Sequence, residues 1–484
     1  MTTYEAVIGL ECHAQLLTHS KLFCSCSTQF GAPPNMNTCP VCLGLPGALP
    51  VLNRVAVSMA VKAALGLGCT INRESQWSRK NYFYPDLPKG YQISQYDRPL
   101  AQFGGIDIVV DGNRRRIRVQ RIHMEEDAGK SLHEGFPGSD TSTYLDFNRS
   151  GVPLVEIVSA PDIRTSVEAH DYLTRLKEIL EYLDVCDGNM EEGSLRCDAN
   201  VSVRPVGDEK LGTRTELKNL NSFRFVQKAI DFEVQRQIDV IENGGRVVQE
   251  TRLWNSVEER TVSMRSKEEA HDYRYFPEPD LPLLTVDQET VRNIERQMTE
   301  LPAARRSRFV EQYAISEYDS VVLTTTRALA DFFEETVRIC KQPKTAANWI
   351  MGDLLRFYKE DARVDMKDLS ESRVSPKKLA DLILYVDAGR ISGKMAKSVF
   401  EEMYQTARHP DVIIQEKGLV QISDPTEIER VIDQVIAENI KTVEQYRAGK
   451  TGTFGFFVGQ VMKQTGGRAN PQAVNDILRK KLVG

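Results

Sequence analysis

Three polar residues interrupt an apolar stretch near the N-terminus. Residues 7–17 read VIGLECHAQLL, and in an extended strand alternate side chains point to the same face. Glu11, His13 and Gln15 would therefore share one face. A carboxylate and an imidazole among residues that favour burial are costly unless they are paired or bound to a metal. A solvated strand face is the common alternative for so short a stretch, but acids in two later stretches favour a metal site.

Those later acids could complete the site. Glu125 and Glu126 follow His123 in HMEED, and Glu156 lies inside the apolar run VPLVEIV. An isolated acid is more often a surface charge or half of a salt bridge, but a carboxylate with the apolar neighbours of Glu156 needs a partner. Mg²⁺ prefers oxygen ligands and often bridges carboxylates to phosphate oxygens, while a histidine ligand also leaves room for Mn²⁺. The acids in strand-like or adjacent sequence are Glu11, Glu125, Glu126, Glu156, Asp198 and Glu216.

A nucleotide would have to be held without a glycine-rich phosphate loop. Gly-Lys-Ser at 129–131 and Gly-Lys-Thr at 449–451 both lack the first glycine of the phosphate-loop motif, and no G-x-G-x-x-G follows a strand. Carboxylate-bound Mg²⁺ and scattered basic residues are the alternative. Arg79, Lys80 and Lys89 lie at an aromatic, proline-punctuated loop and could meet phosphate oxygens.

Four of the nine cysteines form two short-spaced pairs. Cys24 and Cys26 are separated by one residue, and Cys39 and Cys42 by two. Two such pairs suit tetrahedral Zn²⁺, because short spacing lets both sulphurs of a pair reach one ion. Free buried thiols or a redox pair are the alternatives, although C-x-x-C here does not open a helix after a strand. A closed four-sulphur site leaves no position for water, so its role would be to fold a loop.

Length and composition describe a soluble protein of several domains. The chain of 484 residues is 41% hydrophobic and 27% charged, and it exceeds the size at which a single core stops growing. No apolar run is long enough to cross a bilayer, and the N-terminus has no targeting pattern, so we expect the cytosol. The net charge is −6, yet residues 443–484 carry seven Lys/Arg against two acids, a net of +5. Such a basic end could bind an anion or a nucleic acid, or be a solvated face.

The first 290 or so residues predict a mixed α and β region, and the rest predicts helices. A hairpin is expected at 106–110 and 116–122, joined by Asp-Gly-Asn. The other predicted strands are 195–204 and 246–254, and the predicted helices are 54–67, 165–182, 223–242, 327–340, 346–359, 375–388 and 393–405, with further helices from 424 and from 470. A domain boundary is expected just after residues 272–282, which read DYRYFPEPDLP.

Nine stretches, in order along nearly the whole chain, resemble the GatB/GatE family of aspartyl/glutamyl-tRNA amidotransferase subunits. They are VIGLECH (7–13), RKNYFYPDLPKGYQISQYD (79–97), HMEEDAGKS (123–131), VPLVEIVS (152–159), MEEGSLRCDANVSVRP (190–205), ELKNLNSF (216–223), DYRYFPEPDLP (272–282), GLVQISD (418–424) and GFFVGQVMKQTGGRANP (455–471).

The resemblance implies a carbon–nitrogen ligase that uses ATP to phosphorylate the side-chain carboxylate of Glu-tRNA(Gln) or Asp-tRNA(Asn) and then amidates it with ammonia. It implies an α+β chain: a mostly antiparallel, glutamine synthetase-like cradle domain (1–292), an all-α helical domain (293–407) and a small α-helical, YqeY-like tail domain (408–484) that contacts tRNA. The implied partners are an amidase-type glutaminase subunit, which supplies ammonia, and a small third subunit, together in a heterotrimer. The chain itself carries no recognisable glutaminase signature, in keeping with that division.

The resemblance also assigns roles to residues. Its catalytic residues correspond to Glu11, His13, Glu125, Glu126 and Glu156; its Mg²⁺ ligands to Glu11, His13, Glu126 and Glu156; and its Zn²⁺ ligands, present in some members, to Cys24, Cys26, Cys39 and Cys42. We expect nucleotide contacts from Arg79, Lys80, Lys89, Asp198 and Glu216, and tRNA contacts from Lys450, Lys463 and Arg468 on glycine-rich loops. Phe456 and Phe457 are expected in the core of the tail.

Two other functions remain open at this point. One is a catalytically silent, zinc-bearing scaffold that binds tRNA, for which loss of Glu126 or Glu156 would leave amidation unchanged. The other is a metal-dependent hydrolase, in which the same acids would activate water and substrate would be cleaved without ATP. The missing H-E-x-x-H motif weighs modestly against the hydrolase.

Overall fold

The computed structural model describes residues 3–133, 135, 137–264, 273–361, 366, 368–370, 372–419, 424–466 and 468–483. The chain divides into two compact units, Met1–Leu301 and Pro302–Gly484. Residues 272, 420–423 and 467, which belong to three of the motifs quoted above, lie outside the described residues.

The first unit is built on one large sheet. Its described strands are β1 (Tyr4–Gln15), β2 (Thr70–Ile71), β3 (Glu74–Ser75), β4 (Trp77–Asn81), β5 (Tyr91–Gln95), β6 (Ala101–Val110), β7 (Asn113–Glu126), β8 (Lys130–Leu132), β9 (Tyr144–Asp146), β10 (Pro153–Ser159), β11 (Leu195–Pro205), β12 (Thr215–Lys218), β13 (Thr251–Asn255), β14 (Arg260–Ser263), β15 (Phe276–Pro277) and β16 (Leu284–Thr285). Nine of them form a sheet in the order β14-β13-β12-β11-β1-β10-β7-β6-β2. Neighbours run antiparallel except β12 and β13, which confirms the predicted mostly antiparallel sheet.

Helices cover the apolar face of this sheet. The helices of the first unit are α1 (Arg54–Gly66), α2 (Ser166–Tyr182), α3 (Phe223–Glu242) and α4 (Gln288–Gln297). Alternate residues of β1, among them Leu10, Cys12 and Ala14, are fully buried in a core shared with α2 and α3, because every second side chain of the strand points to that face. The opposite alternation leaves Glu11 and His13 on the other face.

Local signals in the sequence predicted several elements correctly. The side chain of Thr165 accepts a hydrogen bond from the Glu168 backbone N–H at the start of α2, and the predicted hairpin forms between β6 and β7. The strand predicted at 246–254 was too long, since β13 begins at Thr251. Its parallel partner β12 begins at Thr215 and pairs Glu216 with Thr251, so the residues before Thr251 have no ladder to join.

The second unit is helical, as predicted. Its described helices are α5 (Pro302–Tyr313), α6 (Glu317–Leu323), α7 (Arg327–Cys340), α8 (Pro343–Trp349), α9 (Leu355–Glu360), α10 (Pro376–Asp387), α11 (Gly393–Thr406), α12 (Pro410–Glu416), α13 (Pro425–Glu438), α14 (Ile440–Arg447), α15 (Phe454–Gln464) and α16 (Pro471–Val483), with a π-helical turn at Ile350–Leu354 and a 3₁₀ turn at Thr451–Thr453. Two separate apolar cores hold them, one for α5–α12 and one for α13–α16. No helix in the described part of the chain is long and apolar enough to cross a membrane.

The glycine- and phenylalanine-rich stretch of the tail differs from expectation. It forms helix α15, where Phe457 and Val461, four residues apart, are buried in the tail core. Burial of that apolar stripe outweighs the low helix propensity of Gly455 and Gly459. Phe457 therefore lies in the core as predicted, whereas the prediction for Phe456 was wrong, because this side chain lies on the other side of the helix and is 41% exposed.

Candidate active site

Three adjacent strands bring one polar group together on the face of the sheet opposite the buried core. Glu156 of β10 lies directly opposite His13 of β1 on one side and His123 of β7 on the other. Glu125 follows His123 by two residues and so points to the same face. We call His13, His123, Glu125 and Glu156 the acid–histidine cluster.

The distances within the acid–histidine cluster suit one small cation. His13 Nε2 is 3.3 Å from Glu156 Oε2 and 3.6 Å from Glu125 Oε1. Ligand atoms of His13, Glu125 and Glu156 all lie within 4.8 Å of one another. One nitrogen and two carboxylate oxygens are a donor set that accepts Mg²⁺ or Mn²⁺. The residues present therefore fit a divalent ion.

Charge compensation inside the acid–histidine cluster is strong. Burial opposes ionisation of Glu156, but the imidazoles of His123 and His13 outweigh it and hold the pKa of this carboxyl well below its usual value. Burial likewise opposes protonation of His13, and the carboxylates of Glu156 and Glu125 outweigh it, so the pKa of His13 is raised. The cluster thus attracts positive charge, as a site for a cation must.

Glu11 belongs to a second group of acids beside the cluster. It lies opposite Asp198 of β11, and its Oε1 accepts a hydrogen bond of 2.8 Å from Asn200 Nδ2. Lys218 Nζ lies 2.9 Å from Asp198 Oδ2 and 3.1 Å from Glu216 Oε1. Burial, together with the charges of Glu156, Glu216 and Asp198, raises the pKa of Glu11. Glu11 therefore stands between the two acid groups and is electrostatically linked to both.

The neighbouring glutamates Glu125 and Glu126 have different surroundings. Glu125 accepts a hydrogen bond of 3.2 Å from Ser94 Oγ and faces His13. Glu126 accepts hydrogen bonds from Lys89 Nζ and, at 2.9 Å, from the backbone N–H of Ile93. The two separate because successive residues of a strand point to opposite faces. The structure thus groups Glu125, rather than Glu126, with His13 and Glu156.

The three basic residues expected at phosphate also differ. Arg79 is bound by two nitrogens to Glu278, at 2.7 and 2.8 Å, and Lys89 is paired with Glu126. Lys80 makes no ion pair with a carboxylate among the described residues and lies 5.0 Å from the ring of Tyr273. Burial works against its charge, but the carboxylates of Glu125 and, less strongly, Glu156 outweigh it and raise the pKa of Lys80. Lys80 is therefore the member of this trio with donors to offer beside the acid–histidine cluster.

The four predicted cysteines do converge. The sulphurs of Cys24, Cys26, Cys39 and Cys42 lie within 4.8 Å of one another. The backbone N–H of Cys39 donates to Cys42 Sγ at 3.1 Å, and Lys21 Nζ, on a fully buried side chain, lies 3.6 Å from the same sulphur. Hydrogen bonding with Cys24 and the charge of Lys21 help to lower the pKa of Cys42 to about 4. Four sulphurs at this spacing, one of them favoured as a thiolate, fit Zn²⁺.

The three tail residues expected to meet tRNA are exposed. Lys450 precedes the 3₁₀ turn, Lys463 lies in the last turn of α15, and Arg468 follows that helix. Other basic residues of the tail are engaged: Lys481 pairs with Glu429 and Asp433, and the guanidinium of Arg479 lies over the ring of Phe454.

Sequence reasoning assigned no role to His123. Its signal was the spacing to Glu125, because residues two apart on a strand share a face and both then face Glu156. His123 Nε2 lies 3.2 Å from Glu156 Oε2, and its buried Nδ1 has no hydrogen-bond partner in the described part of the chain.

Comparison with known proteins agrees with this arrangement. A family model described as the GatB/GatE catalytic domain matches residues 6–292, and one described as the GatB domain matches residues 331–482. A relative from Carboxydothermus hydrogenoformans is 55% identical over 483 residues, 100% of each chain. Relatives from Thermodesulfovibrio yellowstonii and Geobacter sulfurreducens are each 55% identical over 99% of this chain and 99% and 100% of their own. All three are named as one subunit, designated B, of aspartyl/glutamyl-tRNA(Asn/Gln) amidotransferase. On these matches, the chain belongs to the GatB/GatE family of tRNA amidotransferase subunits.

Proposed function

We propose that this chain uses ATP to activate the side-chain carboxylate of Glu-tRNA(Gln) or Asp-tRNA(Asn) and then amidates it. The observation that carries the proposal is the acid–histidine cluster, which lies in the segment matched by the catalytic-domain family model. A silent scaffold would have no need to keep two buried carboxylates and two imidazoles on three adjacent strands, since such groups are costly to bury.

The reaction has two steps. A carboxylate oxygen of the aminoacyl group forms a bond to the terminal phosphorus of ATP, and the bond from that phosphorus to the bridging oxygen breaks, so ADP leaves with the electron pair. The nitrogen of ammonia then bonds to the carbonyl carbon of the acyl phosphate. Inorganic phosphate leaves with its oxygen, and the nitrogen loses a proton. Because a free carboxylate is a poor electrophile, the first step supplies the leaving group that the second step needs.

We assign the magnesium ligands to His13, Glu125 and Glu156, with Glu11 beside them. Mg²⁺ at this place would neutralise charge on the phosphate oxygens of ATP. His123 holds Glu156 from the opposite side and fixes its orientation. Lys80 is the basic residue best placed to meet a phosphate, because Glu125 and Glu156 face it and it pairs with no carboxylate among the described residues. Asp198 and Glu216 face Lys218 and complete the polar surface next to Glu11.

A comparison of Glu125→Gln with Glu126→Gln tests this ligand assignment. We expect Glu125→Gln to weaken Mn²⁺ binding by at least about 10–100-fold, because it removes a charged ligand. Glu126→Gln should leave Mn²⁺ affinity within about threefold of the unsubstituted chain, since Glu126 binds Lys89 instead. Electron paramagnetic resonance titration of free Mn²⁺ measures both values. The opposite order would return the ligand role to Glu126.

The partners follow from the chemistry and from the names of the relatives. We propose an amidase-type glutaminase subunit as the source of ammonia and a small third subunit, in a cytoplasmic heterotrimer. The division into cradle, helical and tail domains (1–292, 293–407 and 408–484) is retained in outline. Two helices pack with the preceding core and are added to it: α4 with the first, through Val291 and Ile294, and α12 with the second, through Ile413 and Ile414.

The tail is proposed to bind the phosphate backbone of tRNA through Lys450, Lys463 and Arg468. A Lys450→Ala/Lys463→Ala variant of the complex should bind tRNA several-fold more weakly. The slope of log affinity against log salt should fall by about 1 for each lost phosphate contact. Lys481→Ala is the matched control, because Lys481 is already paired with acids and should change the slope less. Equal slopes for all variants would contradict the assignment.

One experiment tests the proposed function as a whole. The complex of this chain with its partner subunits, its glutaminase blocked by an active-site label, is given ammonium chloride, ATP and Glu-tRNA(Gln). We expect Gln-tRNA(Gln) to form with one ADP per amide. Cleavage of substrate without ATP would instead support a hydrolase.

A further inference from the structure

Arg196 of β11 lies at the edge of the acid–histidine cluster and has no part in the chemistry described so far. Its Cα lies directly opposite that of His13 in the β1–β11 register. It shares its face with Asp198, two residues later, because alternate residues of a strand point the same way. A guanidinium therefore stands on the same face of the sheet as the proposed metal ligands.

Only part of this guanidinium is engaged. Arg196 Nη2 donates to Asp127 Oδ2 at 2.8 Å, and this is its one hydrogen bond within the described residues. Its Nε is buried without a hydrogen-bond partner there, and 35% of the side chain is exposed. A buried unpaired N–H is costly, so its presence calls for a ligand or a water.

Asp127 does not depend on Arg196 alone. Its Oδ2 also accepts a hydrogen bond of 3.0 Å from Gln15 Nε2 and lies 3.6 Å from Arg149 Nε. These neighbours hold the pKa of the Asp127 carboxyl below its usual value against its burial, with Arg196 the strongest of them and Arg149 next. A second arginine is thus available to neutralise Asp127, while Asp127 in turn anchors one corner of the Arg196 fork.

The other cations around the face are differently occupied. Arg79 is bound bidentately to Glu278, and Lys218 is held between Asp198 and Glu216. Lys80 and Arg196 are the two that combine proximity to Glu125 with donors that no described carboxylate takes up. They are positioned to supply positive charge to a ligand held at the acid–histidine cluster.

We propose that Arg196 binds the phosphoryl group during its transfer from ATP to the substrate carboxylate, through the donors that Asp127 leaves free. The inference rests on the proposed activation step. In that step the bond to the carboxylate oxygen forms as the bond to the ADP oxygen breaks, and Arg196 neither gains nor loses a proton. A planar guanidinium suits this task because it offers several N–H groups in a fixed fork to the equatorial oxygens and stays charged throughout.

The test compares Arg196→Met, Asp127→Asn and the double variant in the complex with its partner subunits. We expect Arg196→Met to slow tRNA-dependent ADP formation by about 10²–10³-fold, the usual loss for one donor to a transition-state anion. ADP affinity should change little, whereas trapping of ADP with aluminium fluoride, a mimic of the transferring phosphoryl group, should be lost. Added guanidinium ion should restore part of the rate. The double variant should remain as slow as Arg196→Met.

Several results would overturn the proposal. If Arg196 served only to neutralise Asp127, the double variant would recover the rate and aluminium fluoride would still trap ADP. If Arg196→Met is too unstable to assay, Arg196→Lys decides, since it keeps the ion pair but loses the fork; an unchanged rate would exclude phosphoryl binding.

Glu156→Gln, assayed in parallel, separates the two levels of the argument. Loss of activity in Glu156→Gln with full activity in Arg196→Met would reject the role of Arg196 alone. Full activity in both variants would reject the proposed function of the site itself.

Discussion

Replacing Glu156 with glutamine is expected to reduce ammonium-driven amidation of Glu-tRNA(Gln) by about 10²–10³-fold, or about 2.7–4 kcal/mol of transition-state stabilisation. Glu156 is almost fully buried between His13 and His123, and its charge is favoured by both imidazoles. Glutamine keeps the shape but removes the charge that a metal ion and both histidines require. The measurement is single-turnover formation of Gln-tRNA(Gln) in the complex with its glutaminase blocked.

Two observations make this result specific to the activation step. Hydrolysis of glutamine by the partner subunit should persist in the Glu156→Gln complex, because that reaction belongs to another chain in the proposed division of labour. Glu250→Gln is the matched control: Glu250 binds Arg252 at 2.6 Å, away from the acid–histidine cluster, and its loss should leave amidation within about twofold. Normal amidation by Glu156→Gln would revive the scaffold alternative.

Replacing Cys42 with serine is expected to remove zinc from the purified chain and to lower the free energy of unfolding of the first unit by about 4 kcal/mol, in the range reserved for changes such as the loss of a metal. Cys42 is the buried member of the four-cysteine site and the one whose pKa is lowered. Its loss would also leave the buried Lys21 amine without one of its acceptors. Metal analysis and denaturant unfolding measure the two effects.

The control for this prediction is Cys69→Ala. Cys69 is also buried, but it lies outside the cysteine cluster, and burial raises the pKa of its thiol to about 12. The variant should keep one zinc per chain and lose only about 1 kcal/mol, as for an average core substitution. If the chain binds no zinc when produced with the metal in excess, the four sulphurs have another role.

Several features of this chain are encoded locally. The alternation in residues 7–17 was enough to place Glu11 and His13 on one face of a strand, because the period of a strand is two residues whatever surrounds it. The Thr165 cap and the Ser375-Pro376 start predicted α2 and α10 for the same reason: a cap acts on its own first turn. The cysteine spacing likewise indicated a metal site, since each pair spans only a few residues.

Other features required the tertiary structure. Which of the adjacent acids Glu125 and Glu126 joins His13 depends on the register between β7 and β10, and register is a long-range property. The engagement of Arg79 and Lys89 by Glu278 and Glu126 depends on residues distant in sequence, so composition alone could not separate these cations from Lys80.

The sequence by itself thus determined the strands, helices and cysteine pairs whose side-chain periodicity and spacing are local, together with the family to which they belong. The tertiary structure decided which charges meet. It joined His123 to the acid–histidine cluster, separated Glu126 from it, and brought Arg196 beside His13. The physical reason is that hydrogen-bond register and the pairing of buried charges depend on contacts between distant segments, which the chain makes only when it is folded.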